Sequence, residues 1–131
     1  MNRGHWWIDT STLQVPVCLV TCEKAWDQLL TQYHRASEPM VEGGVAITRY
    51  YDDWDKPQIF ICLDLSRLRT KRAAMSVLIH EAVHAWQFIC EFMNEASPGG
   101  EIEAYAVQTI AMSMAYKLGI FTPPQGAAHG N

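Results

Sequence analysis

The stretch AAMSVLIHEAVHAWQFICEF, residues 73–92, decides the fold because it lies in the longest part of the chain that contains neither Gly nor Pro. Ala, Met, Leu, Ile, Val and Trp dominate its interior, so we predict one uninterrupted helix from about Thr70 to Asn94. A helix that is apolar most of the way round is typical of the centre of a domain. The remaining elements are therefore expected to pack around this helix.

The residues before this helix predict a small sheet and one further helix. LQVPVCLV (13–20) is a β-rich run in which Pro16 indicates a strand start or an edge strand. The next stretch predicts a helix over 21–36 that is capped by its first residue, a threonine. VAITRYY (45–51) and IFICLDL (59–65) flank a turn, and we predict that they form a β-hairpin.

The residues after the long helix predict one more helix and a tail. SPGG (97–100) interrupts the helical pattern, which resumes from about Glu101 to Leu118. A chain of 131 residues can build a single core but not two independent ones. We therefore predict an α+β fold with a single domain over 1–118 and a loose tail over 119–131.

The composition is that of a folded domain, with 49% hydrophobic and 18% charged residues and a net charge of −4. The densest basic run, Arg67 to Arg72, is interpreted as solvated first turns of the long helix, so no nucleic-acid partner is expected. No apolar run is long enough to span a bilayer, and the N-terminus lacks the hydrophobic region of a signal peptide. We therefore expect no membrane partner, a cytoplasmic location and reduced cysteines.

The sequence HEAVH, residues 80–84, is the candidate site. On a helix, residues four apart share a face, so His80 and His84 can direct both imidazoles at one metal ion. Glu81 follows the first histidine and can act as general base for a water molecule that zinc makes acidic. His-Glu-x-x-His thus places two ligands and a base within about one helical turn, the arrangement of zinc-dependent peptide hydrolysis.

The competing interpretation is a core helix whose two histidines are hydrogen-bonded within the protein. Burying two imidazoles and a carboxylate in an apolar helix is costly unless each has a partner, which favours the metal site. Catalytic zinc takes three protein ligands, so HEAVH requires one more. The last helix offers Glu101 and Glu103, which point about 200° apart and so cannot both face the histidines. Periodicity alone leaves both carboxylates open.

LIHEAVHAWQ followed by a helix that begins GEIEAY resembles the gluzincin branch of zinc metallopeptidases. The resemblance implies that a glutamate on the following helix is the third zinc ligand. The family pattern Glu-x-x-small-polar matches Glu101, Ala104 and Tyr105, with Tyr105 in place of the more usual Asp or Asn. It also implies a zincin-like fold in which IFICLDL is the edge strand that pairs with an extended substrate peptide.

The order of elements over most of residues 8–118 also resembles small metallopeptidase-like proteins that phages and prophages encode. On this reading zinc is the cofactor, a peptide or protein is the substrate, and Glu81 is the general base. Tyr105 is one candidate donor to the developing oxyanion, although packing is the preferred role for it, and His34 and His129 are more remote donors.

The alternative function is a zinc-binding but non-catalytic protein that keeps the zincin fold. Such a protein would serve as a structural part or adaptor of a phage particle, with another protein as its partner. It would then reside in the virion rather than in the host cytoplasm. The presence of Glu81, which is not a zinc ligand, favours the hydrolytic function.

Overall fold

The computed structural model describes the following residues of the chain: 4–8, 13, 15–52, 56–96 and 98–120. These residues form a mixed four-stranded sheet, three α-helices and a short 3-10 helix. The architecture is α+β, as predicted.

The sheet has the strand order β1-β2-β4-β3. Its strands are β1 (His5–Trp7), β2 (Val17–Val20), β3 (Ala46–Tyr51) and β4 (Gln58–Leu63). β2 and β4 are parallel, whereas β1 pairs with β2 and β3 pairs with β4 in antiparallel fashion. Because parallel neighbours need a crossover connection, the chain between β2 and β4 leaves the sheet through a helix before it returns.

The helices are α1 (Glu23–Gln32), α2 (Lys71–Met93) and α3 (Gly100–Lys117). The Thr70 side chain accepts a hydrogen bond from the Ala73 backbone N–H and so caps the start of α2. Asn94 ends α2 in the left-handed conformation, at φ 56°, which its short polar side chain tolerates. The predicted bounds of α2 and α3 are confirmed to within about one residue.

The sheet is covered on both faces. One core lies between the sheet and the pair α2 and α3, and it contains Val17, Leu19, Ile59, Ile61 and Leu63 from the strands. A second core lies on the opposite face, against α1, and it contains Cys18, Val20, Phe60 and Cys62. Strands buried on both faces are apolar at every position, which is why VCLV and IFICL lack polar alternation.

The edge strand β3 is held by the loop that follows α1. On the face away from α2, the Arg49 guanidinium donates to Glu38 Oε1 at 2.8 Å. The Tyr51 hydroxyl donates to Glu38 Oε2 at 2.7 Å. The side chains of Thr48 and Tyr50 alternate with these two and therefore face α2. β3 is thus fixed on one face and contributes to the candidate site from the other.

The β-hairpin prediction is confirmed, but the predicted edge strand is wrong. IFICLDL overlaps β4 over residues 59–63. β4 pairs with β2 on one side and β3 on the other, so its backbone groups are already bonded. The edge on this side of the sheet is β3. Pro16 directly precedes β2, as expected at a strand start, and β2 is interior rather than an edge.

Two features near the N-terminus differ from the prediction. Residues 5–7 form β1, a strand that was not predicted from the sequence. The N-cap of α1 is Cys22, whose Sγ accepts from the Ala25 N–H, while the Thr21 hydroxyl donates to the Gly4 carbonyl. α1 ends at Gln32, earlier than predicted, because His34 has a positive φ of 56°.

The chain after α3 remains packed as far as Ile120, which is buried and donates its N–H to the Ala115 carbonyl. The rest of the predicted tail, 121–131, lies outside the described residues. Across the part of the chain that the structure covers, none of the helices has the combination of length and apolar character that crossing a membrane requires.

Candidate metal centre

Helix α2 presents one face to the sheet and to α3, and the opposite face to solvent. The buried residues recur at helical spacing: Ala74, Leu78, Ala82, Ala85, Trp86 and Ile89. His80 and His84 lie one turn apart on the exposed face. Glu81 points toward the sheet and is only 6% exposed. The motif is therefore divided between a solvent-accessible histidine pair and a buried carboxylate.

The two imidazoles converge through their Nε2 atoms, which lie 3.1 Å apart. The ring centroids are 4.8 Å apart and the ring planes are inclined by 76°. Two nitrogen ligands of a tetrahedral zinc ion, each at about 2.0–2.1 Å, lie about 3.3 Å from one another. His80 and His84 therefore fit two corners of a zinc site with little change in the separation of their nitrogens.

The His84 ring has a second partner on the same helix. Its Nδ1 lies 3.0 Å from Gln87 Oε1, three residues further along α2. A carbonyl oxygen can only accept, so this contact is a hydrogen bond when Nδ1 carries the proton of the ring. In the neutral ring, Nε2 then carries the lone pair that faces His80. This is the protonation state that a metal ligand bound through Nε2 requires.

The Glu81 carboxylate is held by the edge strand. The Thr48 hydroxyl lies 2.7 Å from Glu81 Oε1 and 3.2 Å from the Glu81 carbonyl oxygen, and both are acceptors. A hydroxyl donating to a buried carboxylate satisfies one of its oxygens and stabilises its orientation. The general base predicted from the sequence is therefore fixed between α2 and β3.

The exposure of the histidines alters the physical basis of the prediction. A burial cost for the whole of HEAVH requires all three of its polar residues to lie inside the domain. In the structure it applies to Glu81, because α2 lies on the outside of the sheet and keeps His80 and His84 in contact with solvent. Their convergence, rather than their burial, is what now indicates a shared ligand.

Within the described part of the chain, no side chain joins the histidine pair as a third ligand. Among the described residues, no group of three or more His, Cys, Asp and Glu side chains is placed to hold a metal ion. Glu101 lies exposed in the first turn of α3. Glu103 accepts a hydrogen bond from Trp86 Nε1 at 3.0 Å, so it belongs to the contact between α2 and α3.

The candidate donors to the oxyanion lie on other parts of the chain than the histidine pair. Tyr105 is 63% exposed on α3. His34 is exposed just beyond α1, on the opposite face of the sheet from α2. His129 lies outside the described residues.

An open cavity of ≈ 650 Å³ begins at Gln87 and extends along α2 toward the start of α3. Cys90, Glu91, Glu95 and Glu103 contribute to its wall. Burial, together with the negative charges of Glu103 and Glu95, raises the pKa of the Cys90 thiol. The wall next to the histidine pair is therefore acidic, and the Cys90 thiol is kept protonated at neutral pH.

Sequence reasoning missed Thr48 and Gln87. The contact of Gln87 could have been predicted from spacing, because this residue lies three residues after His84 and seven after His80, on the same helical face. No pattern in the sequence predicts the contact of Thr48 with Glu81, since it depends on how β3 docks on α2.

No family model, curated protein or solved structure matches this chain.

Proposed function

We propose that this protein is a zinc-dependent metallopeptidase with a minimal zincin-like fold. The observation that carries the proposal is the 3.1 Å approach of the His80 and His84 Nε2 atoms, one residue from a buried glutamate. A histidine pair in this arrangement suits zinc, and an adjacent fixed carboxylate suits proton transfer from water. The substrate class is a peptide or an exposed protein segment.

His80 and His84 hold the ion in this proposal. When bound, zinc supplies a Lewis acid that makes water nucleophilic near neutral pH. Glu81 accepts the proton that the attacking water loses and passes it to the nitrogen of the leaving amine. Thr48 keeps the carboxylate oriented while Glu81 does so.

Glu101 remains the proposed third ligand, on the register that the gluzincin resemblance implies. Glu103 is less suited to that role, because the Trp86 indole N–H already uses its Oε2 atom. Tyr105 remains the proposed donor to the oxyanion. The roles of Glu101 and Tyr105 can be tested independently of the histidines, because a substitution on α3 removes either side chain without changing α2.

A zinc-binding protein without hydrolytic activity is the second candidate. The contact between Thr48 and Glu81 favours it, because this hydrogen bond gives the buried glutamate a structural role in docking β3 on α2. A carboxylate with such a role would be retained in a structural or adaptor protein, including one built into a phage particle. The two functions differ in what happens to an added peptide.

The deciding experiment combines zinc analysis with proteolysis of unfolded casein by the native protein and by Glu81→Gln. Glutamine keeps an oxygen that can accept from Thr48 but cannot take up the proton from water. We expect about one zinc per chain in both proteins and cleavage by the native protein only. Glu42→Gln, in the exposed loop after α1, is the matched control and should cleave like the native protein.

The other outcomes separate the alternatives. Zinc in both proteins without cleavage in either would favour the non-catalytic function. Equal cleavage by the native protein and by Glu81→Gln would refute the role of Glu81. Absence of zinc from both would refute the metal site itself.

A further inference from the structure

We propose that Gln87 is a positioning residue that sets the protonation state of His84, so that His84 Nε2 is available as a metal ligand. The inference rests on the proposed zinc site but concerns a residue outside the HEAVH motif. It adds a third position on the exposed face of α2 to His80 and His84.

The geometry of Gln87 supports this role. Its Oε1 atom lies 3.0 Å from His84 Nδ1, within normal hydrogen-bond distance. The two residues are three apart on a continuous helix, so their side chains meet without any rearrangement of the backbone. Because both are exposed, water competes for the same groups, and the contact acts by selecting between two forms of the ring rather than by adding much stability.

The choice of tautomer matters because a neutral imidazole carries a single proton, either on Nδ1 or on Nε2. An unconstrained ring favours the Nε2–H form, which offers no lone pair at Nε2. Acceptance of the Nδ1 proton by Gln87 reverses that preference at His84. Hydrogen bonds of this kind orient and polarise the histidine ligands of metal sites.

The contact also fixes the role of His80 in the protein without metal. With a lone pair on His84 Nε2, the 3.1 Å contact between the two rings is a hydrogen bond donated by His80 Nε2–H. The pair is therefore held together before metal binds. A bound zinc ion would displace the Nε2 proton of His80, and that ring would take up a proton from water at Nδ1, so that both imidazoles stay neutral. Part of the cost of ordering the ligands is thus met by the fold.

The first test measures the tautomer directly by two-bond ¹H–¹⁵N NMR of the imidazole rings, without metal. The spectra are recorded at about pH 8.5, about two units above the ordinary pKa of histidine. We expect a protonated Nδ1 at His84 in the native protein. Gln87→Met has similar length but no amide oxygen and should shift His84 toward the Nε2–H form. Gln87→Glu restores an acceptor and should return it to the native form.

The second test measures zinc affinity of the same proteins by competition with a chromophoric chelator. Loss of such a contact weakens metal binding about 10-fold to 100-fold, so we expect that loss in Gln87→Met and not in Gln87→Glu. Gln28→Met, at an exposed position of α1, is the matched control and should bind like the native protein. Circular dichroism should show that all four proteins are folded.

The results distinguish this inference from the proposed function. An unchanged His84 tautomer in Gln87→Met would overturn the role of Gln87 even if the native protein binds zinc. Changed tautomer with unchanged zinc affinity would also overturn it, because the selection would then have no consequence for binding. If the native protein binds no zinc, the proposed function fails, and the tautomer measurement alone decides whether Gln87 sets the state of His84.

Discussion

Thr48 and Gln87 constrain the two kinds of side chain in HEAVH from outside the motif. Thr48 donates to the buried carboxylate of Glu81, and Gln87 accepts from an exposed imidazole. The two contacts differ in energetic weight. A hydrogen bond to a buried charge contributes to stability, whereas an exposed contact mainly selects an orientation.

Thr48→Val should lower the free energy of unfolding by about 1.5–3 kcal/mol, because it leaves a buried carboxylate oxygen without its donor. Urea unfolding followed by circular dichroism measures the change. Thr48→Ser keeps the hydroxyl and should retain most of the stability. Equal losses in both variants would mean that the threonine methyl group, rather than its hydroxyl, is responsible.

Contacts between individual side chains could be predicted from the sequence only where both residues lie on the same helix or strand. His80, His84 and Gln87 lie on one helix, so their proximity follows from residue spacing. The exposure of the histidines does not follow from spacing. It depends on which face of α2 meets the sheet, and a helix rich in Ala, Ile and Val offers several apolar faces for that contact.

At the scale of elements, the contact between α2 and α3 includes the hydrogen bond from Trp86 to Glu103. Glu103→Ala should remove it and lower the free energy of unfolding by about 1 kcal/mol. Glu101→Ala should leave stability nearly unchanged and lower zinc affinity, since Glu101 is exposed and is the proposed ligand. Chemical denaturation and chelator competition on both variants measure the two effects. Equal zinc affinity of the two variants would contradict the assignment of Glu101.

The central strands β2 and β4 contain thiols that should make stability depend on alkaline pH. Burial raises the pKa of Cys62 from 9.0 to about 12 and also raises that of Cys18. In the unfolded chain these thiols ionise near their ordinary pKa, whereas in the folded protein they stay protonated. The contribution of these thiols to the free energy of unfolding is therefore complete below about pH 9 and is lost as the pH rises toward 12.

Cys62→Ala tests this dependence. Each buried thiol should lower the free energy of unfolding by about 1.4 kcal/mol per pH unit within that window. The variant should be less stable at neutral pH but lose less stability between about pH 9 and pH 11 than the native protein. Parallel stability curves for the two proteins over this range would contradict the burial of Cys62 as the cause.

Most elements could be predicted because the boundaries are local. Thr70, Asn94 and the SPGG segment define α2 and the start of α3 by capping and by loss of helical propensity. The order of the strands could not be predicted in the same way. β4 is interior because β2 pairs with it in parallel across a long connection, and no local pattern in IFICL specifies that partner.

For the molecule as a whole, a metal that binds only the folded state should stabilise it. Zinc at about 100 times its dissociation constant adds about 2.7 kcal/mol, which raises the melting temperature by on the order of 10 °C. Differential scanning fluorimetry with and without zinc measures the shift, and a chelator should reverse it. His84→Ala should melt at the same temperature with and without zinc.

The small sheet and three helices leave the face of α2 that carries the histidine pair open to solvent. An open site suits an exposed segment of a protein substrate better than a small molecule, which a closed cavity would enclose. The overall architecture therefore accords with the proposed substrate class. The proposed roles of Glu81 and of the substrate peptide both depend on His80 and His84 being zinc ligands.

Zinc K-edge X-ray absorption of the zinc-loaded protein tests that part most directly. The account predicts a first shell of nitrogen and oxygen at about 2.0–2.1 Å with the outer-shell scattering of two imidazoles. That scattering should be reduced in His84→Ala. A first shell containing sulfur at about 2.3 Å, or scattering that His84→Ala leaves unchanged, would contradict a metal centre at His80 and His84.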